Sequence, residues 1–215
     1  MSEAIEGGTI TALKVQKRNP QRVNVYLDGE YAFGLARITA GWLSIGQVLS
    51  AEKIAQLQAE DGREVAYQQA LRLLSYRPRA SAEVRRNLVK HDVPAEVIED
   101  VLARLQRAGL IDDNRFAQAW VENRSEFRPR GRRALVVEMR QRGLDDESIQ
   151  QALAEVDEQA LADQAANKQA RRLAGLDETA FKQKLSGFLA RRGFGYAVIR
   201  ETVDRHWNQI QNNEG

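Results

Sequence analysis

The chain has 215 residues, 43% of them apolar, enough for one sizeable core or two smaller ones at about 150 residues per domain. It contains no cysteine, which excludes disulfides, thiolate metal sites and cysteine nucleophiles and points to a reducing compartment, the cytoplasm. The net charge of +2 is too small to mark a chain that coats DNA. No apolar run reaches the roughly 18 residues of a membrane span, and Glu3 and Glu6 stand where an export signal needs a basic start, so neither insertion nor export is expected.

The first 50 or so residues predict a small three-stranded antiparallel element. Ile10, Leu13 and Val15 alternate imperfectly with polar residues over Thr9 to Lys17, and Arg18-Asn19-Pro20-Gln21 supplies a turn. Val23, Val25 and Leu27 then alternate with Arg22, Asn24 and Tyr26, and Asp28-Gly29 is a two-residue hairpin signal before Tyr31 to Leu35. Ser50 is placed to cap a short helix over Ala51 to Gln58, and Glu60-Asp61-Gly62-Arg63 reads as a linker. The first domain is therefore drawn at residues 1–62.

From Glu64 onward only helical periodicity is present, and it repeats. Aligning Leu88, Met139 and Leu189 puts Val84 with Leu135 and Leu185, Val93 with Leu144 and Phe194, Ile98 with Ile149 and Ile199, and Leu102 with Leu153 and Val203. These five columns are apolar in all three copies, at spacings of 51 and then 50 residues. Asp92, Gly143 and Gly193 fall at one position between the second and third columns, and all three tolerate the left-handed conformation that closes a helix. Each unit thus holds two helices joined by a tight turn, preceded by a third helix, and the repeats are drawn at residues 63–111, 112–156 and 157–215. The fold class expected is mainly α: three tandem three-helix repeats in an elongated array, preceded by a small antiparallel β element.

In the first two copies the leading helix ends in matching residues, Tyr76-Arg77-Pro78-Arg79 and Phe127-Arg128-Pro129-Arg130, where proline stops one helix and positions the next. The third copy has Ala174-Gly175-Leu176 nearby and lacks this basic corner. Charge concentrates in the same region: residues 72–142 carry 16 basic and 10 acidic side chains, and no other third of the chain is positive. Arg124, Arg128, Arg130, Arg132, Arg133, Arg140 and Arg142 stand against only Glu126 and Glu138. Arginine's planar fork suits phosphate and carboxylate recognition. Two readings stay open: a solvated helix face, or a binding patch at a helix start. Tyr76, Trp120 and Phe127, the aromatics near these arginines, are assigned to the core rather than to base stacking.

Signatures of chemistry are missing. The sequence has no phosphate-binding G-x-x-x-x-G-K-[ST] loop, no G-x-G-x-x-G, no H-E-x-x-H and no G-x-S-x-G. Asp112 and Asp113 follow the glycine cap of Gly109 and read as capping residues of the next helix rather than a metal or acid–base pair. His91 falls at a helix end and His206 in the last helix beside Trp207, both structural or surface positions. A non-enzymatic chain without cofactor or metal is expected, and helical arrays of this kind suit binding to extended partners.

The residues just isolated resemble the RecX family of bacterial recombination regulators. The resemblance rests on Arg77 through Val84, on Gly109 to Ala117 (GLIDDNRFA), on Arg128-Pro129-Arg130-Gly131 through Arg142-Gly143-Leu144, and on Phe188 to Phe194, in family order over roughly residues 64 to 209. Ala80, and Val84 in place of the more usual leucine, depart from the family pattern. The resemblance implies a protein of homologous recombination, DNA repair and the SOS response that docks in the groove of the RecA–DNA filament and limits its growth or activity. It implies RecA and the DNA within or near its filament as partners, a monomer, and no membrane association. The residues assigned to partner or DNA contact are Arg77, Arg79, Arg124, Arg128, Arg130, Arg132, Arg133, Val137, Arg140 and Arg142. Among them Arg133, Val137 and Arg140 share a helix side opposite Leu135 and Met139, with Val137 meeting either a partner or a neighbouring repeat. The competing expectation is a tandem helical DNA- or RNA-binding module acting alone.

Overall fold

The structure is a computed structural model that describes residues 6–214, so Glu3 lies outside it. The three expected strands are β1 (Gly8–Gln16), β2 (Asn19–Leu27) and β3 (Glu30–Ala36), paired antiparallel. A fourth strand, β4 (Val48–Leu49), corrects the three-strand count; it joins the far side of β1 and gives the order β3-β2-β1-β4. Two residues are too few to carry an alternating pattern. The hairpin at Asp28-Gly29 has φ of 49° and 96°, positive at both central residues as a two-residue turn that follows the strand twist requires. The preceding turn falls at Lys17-Arg18 rather than over Arg18 to Gln21. Pro20 already belongs to β2, within the register shift between the pairs Val15/Val23 and Gln16/Asn19, where no regular ladder bond is asked of it.

After the four-residue helix α1 (Arg37–Ala40), Ser50 caps the next helix as expected, its Oγ accepting the Lys53 N–H at 3.1 Å. That helix does not end at Gln58. Helix α2 runs over Ala51–Leu74, straight through the stretch read as a linker. The reason is that these polar residues have partners distant in sequence: Asp61 accepts the backbone N–H of Ala36 and, at 3.0 Å, the Arg22 guanidinium. Three residues on, Glu64 accepts Arg104 Nη1 at 2.8 Å, and these bonds hold its carboxyl below the ordinary range although burial opposes them. Ile54 and Leu57 meanwhile close the core of the sheet with Ile10, Val25 and Leu35.

The remaining elements are α3 (Ser81–Lys90), α4 (Ala95–Arg107), α5 (Asp113–Phe127), α6 (Arg132–Arg142), α7 (Asp146–Leu153), α8 (Glu158–Leu173), α9 (Glu178–Arg191) and α10 (Tyr196–Glu214). With the end of α2 they form three three-helix domains. Every residue of the five apolar columns is buried except Val93, which is half-buried. Asp92, Gly143 and Gly193 take φ of 57°, 89° and 83°. The residue after each donates its N–H back to the first helix, Val93 to Leu88 at 3.2 Å, Leu144 to Met139 at 3.3 Å and Phe194 to Leu189 at 3.3 Å. This six-to-one bond is the Schellman closure, and it satisfies carbonyls that the helix end would otherwise orphan.

The described chain divides into two compact units. One holds the chain through Arg77 together with Val84–Leu110; the other holds Pro78–Glu83 together with the chain from Ile111 onward. Helix α3 therefore contributes its first turn to the second unit. There Ala80, the departure from the family pattern, is fully buried in the core of the second repeat with Leu144 and Ile149, and the Ser81 N–H is capped by Asp113 at 2.8 Å. The second and third repeats meet through backbone: the Gly131 N–H donates to the Arg192 carbonyl at 2.9 Å, and a Cβ on Gly131 would run into the Gly193 carbonyl.

Gly131 has ordinary backbone angles, φ −71° and ψ 159°, so a substitution there tests contact rather than strain. Gly131→Ala is expected to destabilise the chain by about 1–3 kcal/mol through overpacking, read as a lower urea midpoint with an unchanged slope. A second expectation concerns His206, which is buried with Nε2 3.5 Å from Asp163 Oδ1. Burial depresses its pKa below 6.5 more than Asp163 raises it. Because the folded chain holds this imidazole neutral, its contribution to stability is complete above the unfolded value of about 6.5 and declines as pH falls below it. His206→Phe should flatten that decline in melts taken between pH 7 and pH 5, and an unaltered slope would show that other groups cause it.

Candidate partner interface

The ten residues assigned to partner contact separate into a structural group, an outward-facing group and intermediate cases once their neighbours are known. Arg124, Arg132 and Arg142 serve the fold. Arg124 donates from Nε to Glu138 Oε2 at 2.7 Å and lies over the Trp120 ring at 4.3 Å; Arg142 covers the same ring at 4.4 Å and donates to Glu83 Oε1 at 3.1 Å. The Trp120 Nε1 completes the arrangement by donating to Glu138 Oε2 at 3.0 Å. Two guanidinium groups over one indole are each favourable, by about 0.5–2 kcal/mol. Arg132 ties the second repeat to the third, with its backbone N–H on Glu158 Oε1 at 3.0 Å and Nη2 on the Val156 carbonyl at 2.7 Å.

The second group faces outward. Arg128 follows the last residue of α5 and Arg133 lies in the first turn of α6; both are exposed, and neither has a carboxylate partner among the described residues. Val137 stands 53% exposed between Arg133 and Arg140. Arg140 pairs with Asp146 at 2.9 Å with both side chains exposed. Such a pair contributes little, about 0.2–1 kcal/mol, and a partner displaces it at small cost. Arg130 and Arg79 are intermediate. Arg130 Nε lies 3.6 Å from Glu138 Oε1 and Arg79 Nη1 lies 3.7 Å from Glu83 Oε1, and both Nε atoms are buried without a hydrogen bond. Arg77 is exposed and makes interactions of its own.

Two aromatics assigned to the core are not in it. Tyr76 is 79% exposed and Phe127 67% exposed. Tyr76 lies in the turn two residues beyond α2 and Phe127 is the last residue of α5, each just before the Arg-Pro-Arg corner. Trp120 alone is half-buried and packs on the second-repeat core. Tyr76 also borders a cleft of about 880 Å³ in the first unit, walled by Arg37 and Ile38 after the sheet, by Val65 and Arg72 on α2, and by His91.

Arg192, from the third repeat, belongs to this basic surface and was not among the assigned residues. Its Nη1 donates to the Pro129 carbonyl at 3.1 Å, its guanidinium lies over Phe188 at 4.6 Å, and burial together with Arg130 and Arg128 lowers its pKa. The signal that marks it is its register with Arg142, 50 residues earlier. The two aspartates are caps: Asp112 accepts the Arg115 N–H at 3.0 Å, while Asp113 caps α3 as described. Among the described residues no group of three or more potential metal ligands comes together, and no helix is long and apolar enough to cross a membrane.

Comparison with known proteins accounts for nearly the whole chain. Four family models match in order: "Regulatory protein RecX N-terminal domain" over residues 8–50, "RecX, first three-helix domain" over 66–105, "RecX, second three-helix domain" over 112–153 and "RecX, third three-helix domain" over 156–203. Regulatory protein RecX of Mycolicibacterium smegmatis is 42% identical over 68% of this chain and 83% of its own length. The Bacillus subtilis protein of the same name is 31% identical over 91% and 76%. A crystal structure of regulatory protein RecX superposes with a TM-score of 0.75 at 30% identity, covering 91% of this chain and 98% of that one. With an N-terminal sheet and three three-helix domains in the family's order, the chain belongs to the RecX family of regulatory proteins.

Proposed function

We propose that this regulatory protein acts in homologous recombination by binding the RecA–DNA filament through its middle repeat and limiting RecA activity, as a cytoplasmic monomer that catalyses no reaction. The observation that carries the reading is that Arg128 and Arg133 are exposed and have no carboxylate partner among the described residues, with an exposed Val137 one turn from Arg133. An apolar side chain flanked by arginines fits a partner surface that has both acidic and apolar character. The small net charge of +2 limits indiscriminate coating of DNA; Arg130 and Arg140 add to the basic character of the middle repeat, and Arg77 and Arg79 stand at the equivalent corner of the first. The direct test is strand exchange by purified recombinase. The triple variant Arg128→Ala, Arg130→Ala, Arg133→Ala should lose inhibition while keeping its helical circular-dichroism signal and its melting temperature. Full inhibition by the variant would remove the patch from the mechanism.

One observation favours a second reading, a helical DNA- or RNA-binding module acting alone: the exposure of Tyr76 and Phe127, each beside an arginine. Base stacking on an aromatic contributes about 1–3 kcal/mol per base. Titration separates the two readings. Tight binding to naked DNA at physiological salt, with no preference for recombinase-coated strands and with a loss in Phe127→Ala, supports the solitary module. A strong preference for coated strands supports the filament.

A further inference from the structure

The two junctions between successive repeats share one register but place their carboxylate differently: the first has Glu83 and Asn87 where the second has Ala134 and Glu138. In the repeat register Arg79 corresponds to Arg130, Arg77 to Arg128, Arg142 to Arg192 and Glu83 to Ala134. At the first junction Glu83 lies between the two arginines. Its Oε1 accepts Arg142 Nη1 at 3.1 Å and stands 3.7 Å from Arg79 Nη1, while Oε2 accepts the Ala80 N–H at 3.3 Å. At the second junction the carboxylate has become a methyl group. Arg192 still approaches from the following repeat, on the Pro129 carbonyl, and Arg128 and Arg130 are still close enough to repel it.

The charge left there is met only in part, by Glu138. Glu138 is the one carboxylate near the three arginines among the described residues. Its Oε2 is already committed to Arg124 at 2.7 Å and Trp120 at 3.0 Å, and its Oε1 reaches only to 3.6 Å from Arg130 Nε. That Nε is buried without a hydrogen bond, as is the Nε of Arg79 at the first junction, so the junctions differ at Arg192, which reaches a carbonyl where Arg142 reaches a carboxylate. Three guanidinium groups held together by the fold, with one distant carboxylate oxygen between them among the described residues, mark a place where an external anion gains more than it would on an ordinary surface. The first junction shows which anion the geometry accepts.

We propose that the junction of the second and third repeats receives a carboxylate side chain from an acidic segment of a protein partner, held by Arg130 and Arg192 with Arg128 at the rim, where Glu83 fills the first junction from within. The partner therefore supplies in trans the residue that the first junction has in cis. Phe127, exposed next to Arg128, gives the incoming segment an apolar neighbour. The inference specifies partner chemistry for part of the patch described above, and it adds the third repeat to that patch.

The test restores the missing acid. Ala134→Glu places a carboxylate at the register position of Glu83, and Ala134→Gln controls for its size. With the full chain at low ionic strength and a fluorescein-labelled hexaglutamate peptide as probe, the wild-type chain and Ala134→Gln should bind equally. Ala134→Glu and Arg192→Gln should each bind about tenfold more weakly, the loss expected when one close charge pair is removed. Ala134→Glu should also melt no lower than Ala134→Gln, because its carboxylate relieves the arginine cluster. Peptide binding by Ala134→Glu equal to that of Ala134→Gln overturns the proposal. So does a loss confined to a labelled oligothymidylate with peptide binding intact, which would give the site to nucleic acid. If Ala134→Glu does not fold, Arg192→Gln decides: unchanged peptide binding refutes the site. No recombinase is present in these titrations, so inhibition of strand exchange by the same variants tests the filament reading separately.

Discussion

A left-handed residue at the end of the middle helix of each repeat is the constraint from which the rest of the helical region follows. Asp92, Gly143 and Gly193 turn the chain so that the next residue can bond back to the helix just ended. This reverses the chain within three or four residues and lays the apolar positions before the turn against those after it. Burial of those side chains, about 1.5–3 kcal/mol for each Leu, Ile or Phe, outweighs the cost of the unusual backbone. That cost is smallest for the two glycines and tolerable for Asp92, a residue type that visits the left-handed region more readily than most. In the third repeat the same turn serves a second purpose, since Gly193 is also the surface on which Gly131 rests.

Because the turn of one repeat docks on the start of the middle helix of the preceding one, the Arg-Pro-Arg corner is first of all part of a junction. The Pro129 carbonyl receives Arg192, and the first junction binds Arg142 through Glu83. What a given arginine does is then decided by the acids around it. Arg124 and Arg142 are fixed by a carboxylate on one side and the Trp120 ring on the other. Arg140 has one exposed partner, and Arg128 and Arg133 have none among the described residues. A run of seven arginines in sequence is thus two populations in space, one spent on folding and one presented to the surroundings.

How much of this was legible follows from how local each interaction is. The five apolar columns, the left-handed caps, the Asp28-Gly29 hairpin and the Ser50 and Asp112 caps all rest on residues within a few positions of one another, and the structure has each of them as expected. The continuity of α2 was hidden because Asp61 and Glu64 find Arg22 and Arg104, 39 and 40 residues away. Read alone, a polar stretch with a glycine looks like a linker. Tyr76 and Phe127 were placed inside because aromatics usually are, whereas each stands exposed just before the basic corner.

Arg192 was hidden for a different reason, and it shows what a repeat register adds. The third copy has lost the basic corner, which suggests at first that it has left the binding surface altogether. Yet a corner is completed by the turn of the repeat that follows it, so the structural unit straddles two sequence repeats rather than lying within one. Counted this way, the second corner includes Arg192, and the contrast between Glu83 and Ala134 becomes visible as a change in one charge at one position. Divergence between repeats is therefore most informative at junctions, where a substitution that leaves the packing intact still changes the charge that the surface presents.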